Sequence, residues 1–314
     1  MRHPAPRPAV LVVGDVLADV SARLAAPLAA DSDTPAAITL ECGGAGAHVA
    51  AWLARLGADT TFVGAVGTDW LGRRQRQDLR RRGVTLRGPV LRGRPTGVVV
   101  ALVGPDGGRT MVTSRGASAG LRPRHLPARL FIPGGHLHLS GYVLLDPDTR
   151  SAGLAALERA RAASMTISVD PSSHAPLDRV GAGTFRGWTR GADILLPNLD
   201  EGRVLTGATD PEAIVADLAP DYGVVVLTLG PAGALWARGA ERQRLAAPGT
   251  RVVDTTGAGD AFTAGWLAAW LDGASPSAAL AAAAAAAATA VTEIGGRPPA
   301  GAGPRADRSI IGGG

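Results

Sequence analysis

Short apolar runs exchange with stretches of helical spacing from residue 9 to near residue 300. Ala9-Val-Leu-Val-Val13 is continuously apolar and ends at Gly14, the pattern of a parallel strand buried on both faces. Residues 45–56 follow with Val49, Trp52, Leu53 and Leu56 on one helical face and Gly57 as a stop. Further strand-like runs lie at 61–66, 136–139, 165–169, 193–196, 224–229 and 251–253. Helical patterns lie at 70–82, 149–163, 198–206, 211–219, 259–271 and 276–293. Strands that feed helices imply right-handed crossovers and a mainly parallel sheet covered on both faces. The expected class is α/β, with a Rossmann-like three-layer core.

Two stretches interrupt the exchange. Residues 15–42 hold β-like pieces without helical spacing. Residues 96–115 read as a hairpin, Thr96–Val103 and Arg109–Thr113 around Pro105-Asp106-Gly107-Gly108. Together they predict a small β-sheet lid on a core made of residues 1–14, 43–95 and 116–300. A plain surface flap is the other reading, but both stretches leave the core beside glycine-rich turns, which favours a lid. Residues 301–314, rich in glycine and proline, predict a mobile tail.

A chain of 314 residues, 46% apolar, suits one large α/β domain with a small appendage. The net charge of +5 raises the question of a nucleic-acid partner. Every residue in the Lys+Arg count is arginine, however, and alanine abounds, a compositional bias that explains much of the basicity. The densest run, Arg73, Arg74, Arg76, Arg80, Arg81 and Arg82, reads as a solvated helix face with no interleaved aromatics to stack bases. Nucleic acid is not expected. The single cysteine, Cys42, excludes an intrachain disulfide and suits a reducing cytoplasm. The first residues are too proline-rich for a signal peptide, and the alanine run at 278–290 is too weakly hydrophobic for a bilayer span. A cytoplasmic protein without a membrane partner is the expectation.

The chemistry concentrates in Arg251-Val-Val-Asp-Thr-Thr-Gly-Ala-Gly-Asp-Ala-Phe-Thr263. A strand is expected to end at Val253 and a helix to open near Gly259. Small residues at Gly257, Ala258 and Gly259 leave bare amides at a helix N-terminus, where unpaired N–H groups and the helix dipole favour negative charge. Asp260 alone would pass as a helix cap. A cap does not explain the small residues before it, Asp254 at the strand end, or Thr255 and Thr256 between. Phosphoryl transfer uses all these parts, because it needs positioning, stabilisation of spread negative charge and a group that takes the nucleophile's proton. In that reading the amides of Ala258, Gly259 and Asp260 hold the transferred phosphate while the Asp260 carboxylate takes the proton.

Asp254-Thr-Thr-Gly-Ala-Gly-Asp-Ala-Phe262 resembles the C-terminal motif of the ribokinase-like (PfkB) carbohydrate kinases. Gly43-Gly-Ala-Gly-Ala-His-Val-Ala50, with Leu56-Gly-Ala58 and the stretch from Gly64 to Gly72, resembles a second element. Asn198-Leu-Asp-Glu201 is similar to the family's Asn-x-x-Glu, and Thr228-Leu-Gly-Pro-Ala-Gly233 to a nucleotide-binding turn. Order and spacing suit the family over residues 9–300. The resemblance implies Mg-ATP as donor and a sugar hydroxyl as acceptor, with Asp260 as general base and Gly257, Ala258 and Gly259 in the anion hole. It implies Asp19, Gly43, Gly44 and His48 at the sugar. Asn198 and Glu201 would place Mg2+ and phosphates, and Thr228, Gly230 and Gly233 would meet the nucleotide. A K+ ion would lie at Asp254 and Thr256, with backbone carbonyls near Ala290, Glu293 and Gly295. A homodimer formed through the lid is a further implication. The chain departs from the pattern at His48, where the family usually carries asparagine. Histidine offers hydrogen bonds in a different geometry, so His48 either meets the substrate or merely fills the helix N-terminus.

His136 and His138 share one strand face, with no third ligand at metal spacing. Asp170 ends a strand on the presumed ligand edge, where it either helps order Mg2+ or caps a turn. Without lysine, no Walker-type P-loop exists. A dinucleotide-dependent oxidoreductase would need a third glycine after Gly257-Ala-Gly259 and a later acid, and both are missing. A non-catalytic sugar or nucleotide sensor would be expected to lose the base or the anion hole. Nucleosides are the main rival acceptors, but neither lid stretch holds an aromatic residue to stack a base, which favours a small polar sugar. An acidic sugar would look to Arg23 or Arg109.

Overall fold

The computed structural model describes residues 8–106 and 108–299, so the N-terminal reading, Gly107 of the turn and the tail at 301–314 lie outside the described residues. The first part of the chain forms β1 (Val10–Val13), β2 (Leu17–Leu24), β3 (Ala36–Gly43), α1 (Ala45–Arg55), β4 (Thr60–Val63), β5 (Val66–Gly67) and α2 (Trp70–Arg81). Next come β6 (Thr85–Leu86), β7 (Val90–Leu91), β8 (Thr96–Val103), β9 (Arg109–Gly116), β10 (His136–Ser140), α3 (Tyr142–Leu145), α4 (Arg150–Ala162) and β11 (Thr166–Asp170). Then follow α5 (His174–Val180), α6 (Ala182–Thr189), β12 (Ile194–Leu195), α7 (Leu199–Thr206), α8 (Pro211–Leu218) and β13 (Val224–Thr228). The last elements are β14 (Ala234–Arg238), β15 (Glu241–Leu245), α9 (Ala258–Leu271) and α10 (Pro276–Ala290).

Among the described residues the main sheet has nine strands in the order β15-β14-β13-β12-β11-β10-β1-β4-β6. Strands β13 through β6 run parallel, and β14 and β15 close one edge antiparallel. The central strand β1 displays the layering. Val10 and Val12 enter a core with Trp52 and Leu53 of α1, Trp266 of α9 and Leu280 of α10. Leu11 and Val13 enter the opposite core, with Leu144, Leu157, Leu177, Leu205 and Ile214 from α3 to α8. Burying each such side chain contributes roughly 1.5–3 kcal/mol, so β1 must alternate between two apolar faces rather than between core and water. The fold is α/β in three layers.

One expected strand is absent. Residues 251–253 pair with no sheet strand: Val252 and Val253 are exposed, and the Val253 amide donates to the Val291 carbonyl at 2.7 Å. The sheet edge is formed by β14 and β15, whose alternation in Glu241-Arg-Gln-Arg-Leu245 is masked by the polarity that an edge tolerates. The run at 61–66 divides into β4 and β5. The pattern expected over 276–293 ends at Ala290, where the Val291 carbonyl turns to bind the Val253 and Asp254 amides. Helices α5 and α6 had no legible periodicity, being short and interrupted by Pro176, Gly183 and Gly187.

A second sheet has the order β3-β2-β8-β9, with β2 parallel to β8 and the other pairs antiparallel. It stands beside the C-terminal edge of the parallel sheet, since β2 begins soon after β1 ends and β3 runs directly into α1. Crevices at such strand ends are where open α/β sheets bind ligands.

Candidate active site

A cavity of about 210 Å3 lies between the two sheets, lined by Asp19 and Glu41 from the small sheet, Gly44 and His48 from the start of α1, and Gly257 and Asp260 from the start of α9. Backbone geometry assembles it. Gly44 adopts φ +95°, which places the chain so close to Val16 that a β-carbon would lie 2.6 Å from its Cα. Asp15 reinforces this join, accepting from the Gly46 amide at 3.2 Å while its carbonyl accepts from Ala47 at 3.2 Å. Asp15 is therefore a turn-forming residue, buried to 3% exposure.

Asp19 points into the cavity from β2, opposite Glu41 on β3 and Val99 on β8. Burial is the main influence on its carboxyl and holds it above the usual carboxylate range, against the opposing pull of His48 and Arg297. His48 sits within hydrogen-bond reach of Asp260, with Nδ1 2.9 Å from Oδ2. Its Nε2 lies 3.3 Å from the Cys42 carbonyl and 3.9 Å from Asp19 Oδ2.

Asp260 occupies the first turn of α9, 14% exposed, below the cavity. Gly257 and Gly259 differ in what holds them glycine. Gly257 has φ +73° and abuts Gly296, so packing alone requires it. A β-carbon at Gly259 would meet nothing within 4 Å. Gly259 is exposed, so the start of α9 is open there; the Ala258 amide donates to the Thr255 carbonyl at 3.3 Å, and the next amides of the first turn have no intrahelical acceptor. An anion bound there would receive N–H donors and the positive end of the helix dipole, with Asp260 beside it.

Asp254 and Thr256 line the same cavity next to Gly295. Asp254 Oδ1 accepts from the Thr256 amide at 3.0 Å and hydroxyl at 2.8 Å, and Oδ2 accepts from the Gly295 amide at 3.1 Å. The Ala290 carbonyl accepts from the Glu293 amide at 3.3 Å.

The other expected residues form a group outside this cavity. Asn198 caps α7 reciprocally with Glu201: Asn198 Oδ1 accepts from the Glu201 amide, and Glu201 Oε2 accepts from the Asn198 amide, both at 2.9 Å. Capping does not explain why Glu201 is only 2% exposed. Burial pushes its carboxyl up to about 7, and Asp260 adds to the rise. Asp170 is driven well above the usual range, first by burial and then by Glu201 and Asp260. These acids share one electrostatic environment. Thr228 bridges to Asn198, while Gly230 and Gly233 bracket the turn into β14. Among the described residues no group of three or more His, Cys, Asp or Glu side chains is arranged to hold a metal ion by itself. His136 and His138 are buried among hydroxyls: His136 reaches Thr166 and Ser168 at 2.8 Å, and His138 reaches Ser168 at 2.9 Å. Burial lowers both rings to about 3.

Several residues of the site carried no sequence signal. Tyr142 and Arg115 line the cavity, with the guanidinium 5.5 Å from the ring centre and paired to Asp146 at 2.7 Å. Buried Arg297 ties the β3–α1 corner from behind, donating to the carbonyls of Ala47 and Gly43. Of the two expected carboxylate partners, Arg23 is exposed on β2 away from the lining, and the Arg109 side chain lies outside the described residues.

Comparison with known proteins bears on this geometry. The profile of the pfkB family carbohydrate kinases matches residues 7–301. A 2-dehydro-3-deoxygluconokinase of Bacillus subtilis is 33% identical over 244 residues, covering 74% of this chain and 75% of the relative. An adenosine kinase structure from Sinorhizobium meliloti superposes with a TM-score of 0.85 at 28% identity, covering 93% of this chain and 96% of that one. An aminoimidazole riboside kinase from Salmonella enterica, complexed with aminoimidazole riboside and an ATP analogue, gives a TM-score of 0.74 at 27% identity, covering 92% of this chain and 95% of that one.

Proposed function

The chain belongs to the pfkB family of carbohydrate kinases and is an ATP-dependent sugar kinase, and on that premise we propose that it phosphorylates a hydroxyl of a small neutral sugar with Asp260 as the general base. The observation that carries the proposal is the pairing of Asp260 with the open space at Gly259 on the first turn of α9. The acceptor hydroxyl gives its proton to the Asp260 carboxylate as its oxygen attacks the γ-phosphorus, and ADP leaves. The amides of Ala258, Gly259 and Asp260 receive the charge that spreads over the transferred group.

Asp19 and Glu41 supply carboxylate acceptors for sugar hydroxyls at the cavity wall. The balance of charge supports a neutral acceptor: Asp15, Asp19, Glu41, Asp254 and Asp260 line the cavity, and the lining guanidinium, Arg115, is paired with Asp146. Tyr142 supplies an aromatic wall that the lid strands lack, and a nucleoside acceptor is the second reading it supports. Asn198 and Glu201, with Asp170 beside them, would place Mg2+, whose charge would offset that of the two buried acids. Asp254 and Thr256, with the carbonyls of the segment from Ala290 through Glu293 to Gly295, are the residues that would hold K+. Residues 15–42 and 96–115 act as the lid, and exposed Ile38 and Val112 on it offer apolar surface to a second copy. No helix among the described residues is long and apolar enough to cross a membrane.

The test is ADP release with pentoses, hexoses, sugar acids and nucleosides, in Na+ and in K+. Turnover with a neutral sugar supports the reading; turnover confined to nucleosides or sugar acids overturns the acceptor class.

A further inference from the structure

His48 stands where the resemblance leads one to expect asparagine, and hydrogen-bond acceptors face both of its ring nitrogens. The ring is 3% exposed. Nε2 faces the Cys42 carbonyl at 3.3 Å, with Asp19 Oδ2 at 3.9 Å, and Nδ1 faces Asp260 Oδ2 at 2.9 Å. All these neighbours are acceptors when the acids are ionised. A neutral imidazole has one N–H and one bare nitrogen, so it would set a lone pair against an oxygen lone pair on one side. The conflict disappears when one additional proton is held between His48 and Asp260, so that both ring nitrogens donate.

The packing keeps the ring in this place. A β-carbon at Gly296 would lie 2.5 Å from His48 Nδ1, so the glycine leaves room for the imidazole. Trp52, one turn along α1, donates from Nε1 to the Gly296 carbonyl at 3.0 Å and fixes that segment against the helix. The carboxylates of Asp260 and Asp19 face the ring, those of Asp15 and Glu41 line the same cavity, and Arg297 donates to the carbonyls of Ala47 and Gly43 at the start of the helix. Burial keeps the Cys42 thiol and the Tyr142 hydroxyl in their neutral forms.

We propose that His48 is a positioning residue for phosphoryl transfer, sharing one proton with Asp260 and binding Oδ2 so that Oδ1 faces the acceptor hydroxyl. The inference rests on Asp260 being the general base. In the step, the acceptor O–H bond breaks toward Oδ1, the oxygen forms its bond to the γ-phosphorus, and the bond to the ADP leaving oxygen breaks with its electron pair. The proton on Nδ1 stays there throughout. Nε2, held by the Cys42 carbonyl beside Asp19, couples the orientation of the base to the wall that grips the sugar.

Two measurements test this. The first is the imidazole N–H region of the proton NMR spectrum of the full chain. A strongly downfield resonance is expected in the wild type and lost in both His48→Asn and Asp260→Asn; its absence from the wild type overturns the shared proton whatever the enzyme phosphorylates. The second is the pH profile of kcat with the best sugar of the screen. Loss of the additional proton leaves one N–H to divide between Asp260 and the Cys42 carbonyl, which loosens the hold on Oδ2, so the wild type should lose activity on the alkaline side. His48→Ala should lower kcat about tenfold to a hundredfold with KM for ATP unchanged. His48→Asn, whose amide can donate to Oδ2 but does not titrate, should recover part of kcat and lack the alkaline limb. An identical alkaline limb in wild type and His48→Asn, or full kcat in His48→Ala, overturns the positioning role. Full activity in Asp260→Asn instead removes the base, and the inference with it.

Discussion

The Asp19 carboxylate fills the volume that a β-carbon at Gly43 would need. The last residue of β3 is thus bare so that an acid on β2 can lean across it toward His48. Gly43→Ala should push the carboxylate aside without unfolding the chain, because the obstructing group is the end of a side chain and can move. Both Gly43→Ala and Asp19→Ala should lower kcat/KM for the sugar by at least about tenfold, since a carboxylate–hydroxyl hydrogen bond is worth roughly 1.5–3 kcal/mol, and leave KM for ATP alone. Loss of ATP affinity in either variant would assign Asp19 a structural role.

Asp260→Asn should reduce kcat by about a hundredfold to ten-thousandfold, the usual weight of a general base, with nucleotide binding nearly unchanged. Steady-state kinetics alongside a nucleotide titration check this. Near-normal turnover in the folded variant would remove Asp260 from the reaction.

Gly259→Ala separates ligand from packing. Nothing in the protein opposes a methyl group there, and alanine is favoured over glycine inside a helix by about 1 kcal/mol. The variant should melt no lower than the wild type and yet turn over at least about tenfold more slowly, because the methyl intrudes where a phosphate meets the helix amides. A variant that is equally stable and fully active would mean that the space is not used.

Glu201 gives stability a pH dependence of predictable sign. Its folded-state value of about 7 lies above the ordinary 4.5, so between these values the folded chain holds more protons than the unfolded one. This group therefore detracts from stability as pH rises from about 4.5 to about 7. The difference in Tm between Glu201→Gln and the wild type should shift in the variant's favour over that range, whatever its offset from altered capping. A difference that stays constant from pH 5 to pH 8, followed by thermal melts, would show that the buried acid does not titrate there.

The legible parts of the molecule are those whose chemistry is local in the chain. Gly257 to Asp260 and the opening of α9 could be read from adjacent small residues, and β1 from its continuous apolar run. Val252 and Val253 misled because β-branched residues read as a strand wherever they occur, whereas these lie exposed beside Val291. Glu41 becomes a neighbour of Asp19 only through the register of β2 on β3. Tyr142 and Arg115 meet only across the strand ends, and no spacing in the sequence announces that they will. His48 was visible as a departure from a pattern, but its partner on α9 could not be: hydrogen bonding between residues 212 apart leaves no local trace.

Arg297, described above as the tie behind the β3–α1 corner, also sets a timetable. Its hydrogen bond to Gly43 spans 254 residues, and that of Trp52 to Gly296 spans 244. A ribosome adding about 5–20 residues per second needs on the order of tens of seconds between making the corner and making the arginine that secures it. During that interval the nascent chain can stack its early strands and helices, but the corner that bears Gly43 and His48 has nothing behind it. The pocket is therefore among the last parts of the protein to acquire its shape at birth, and a chain cut short before residue 296 would carry a nearly whole sheet around a corner that never closes.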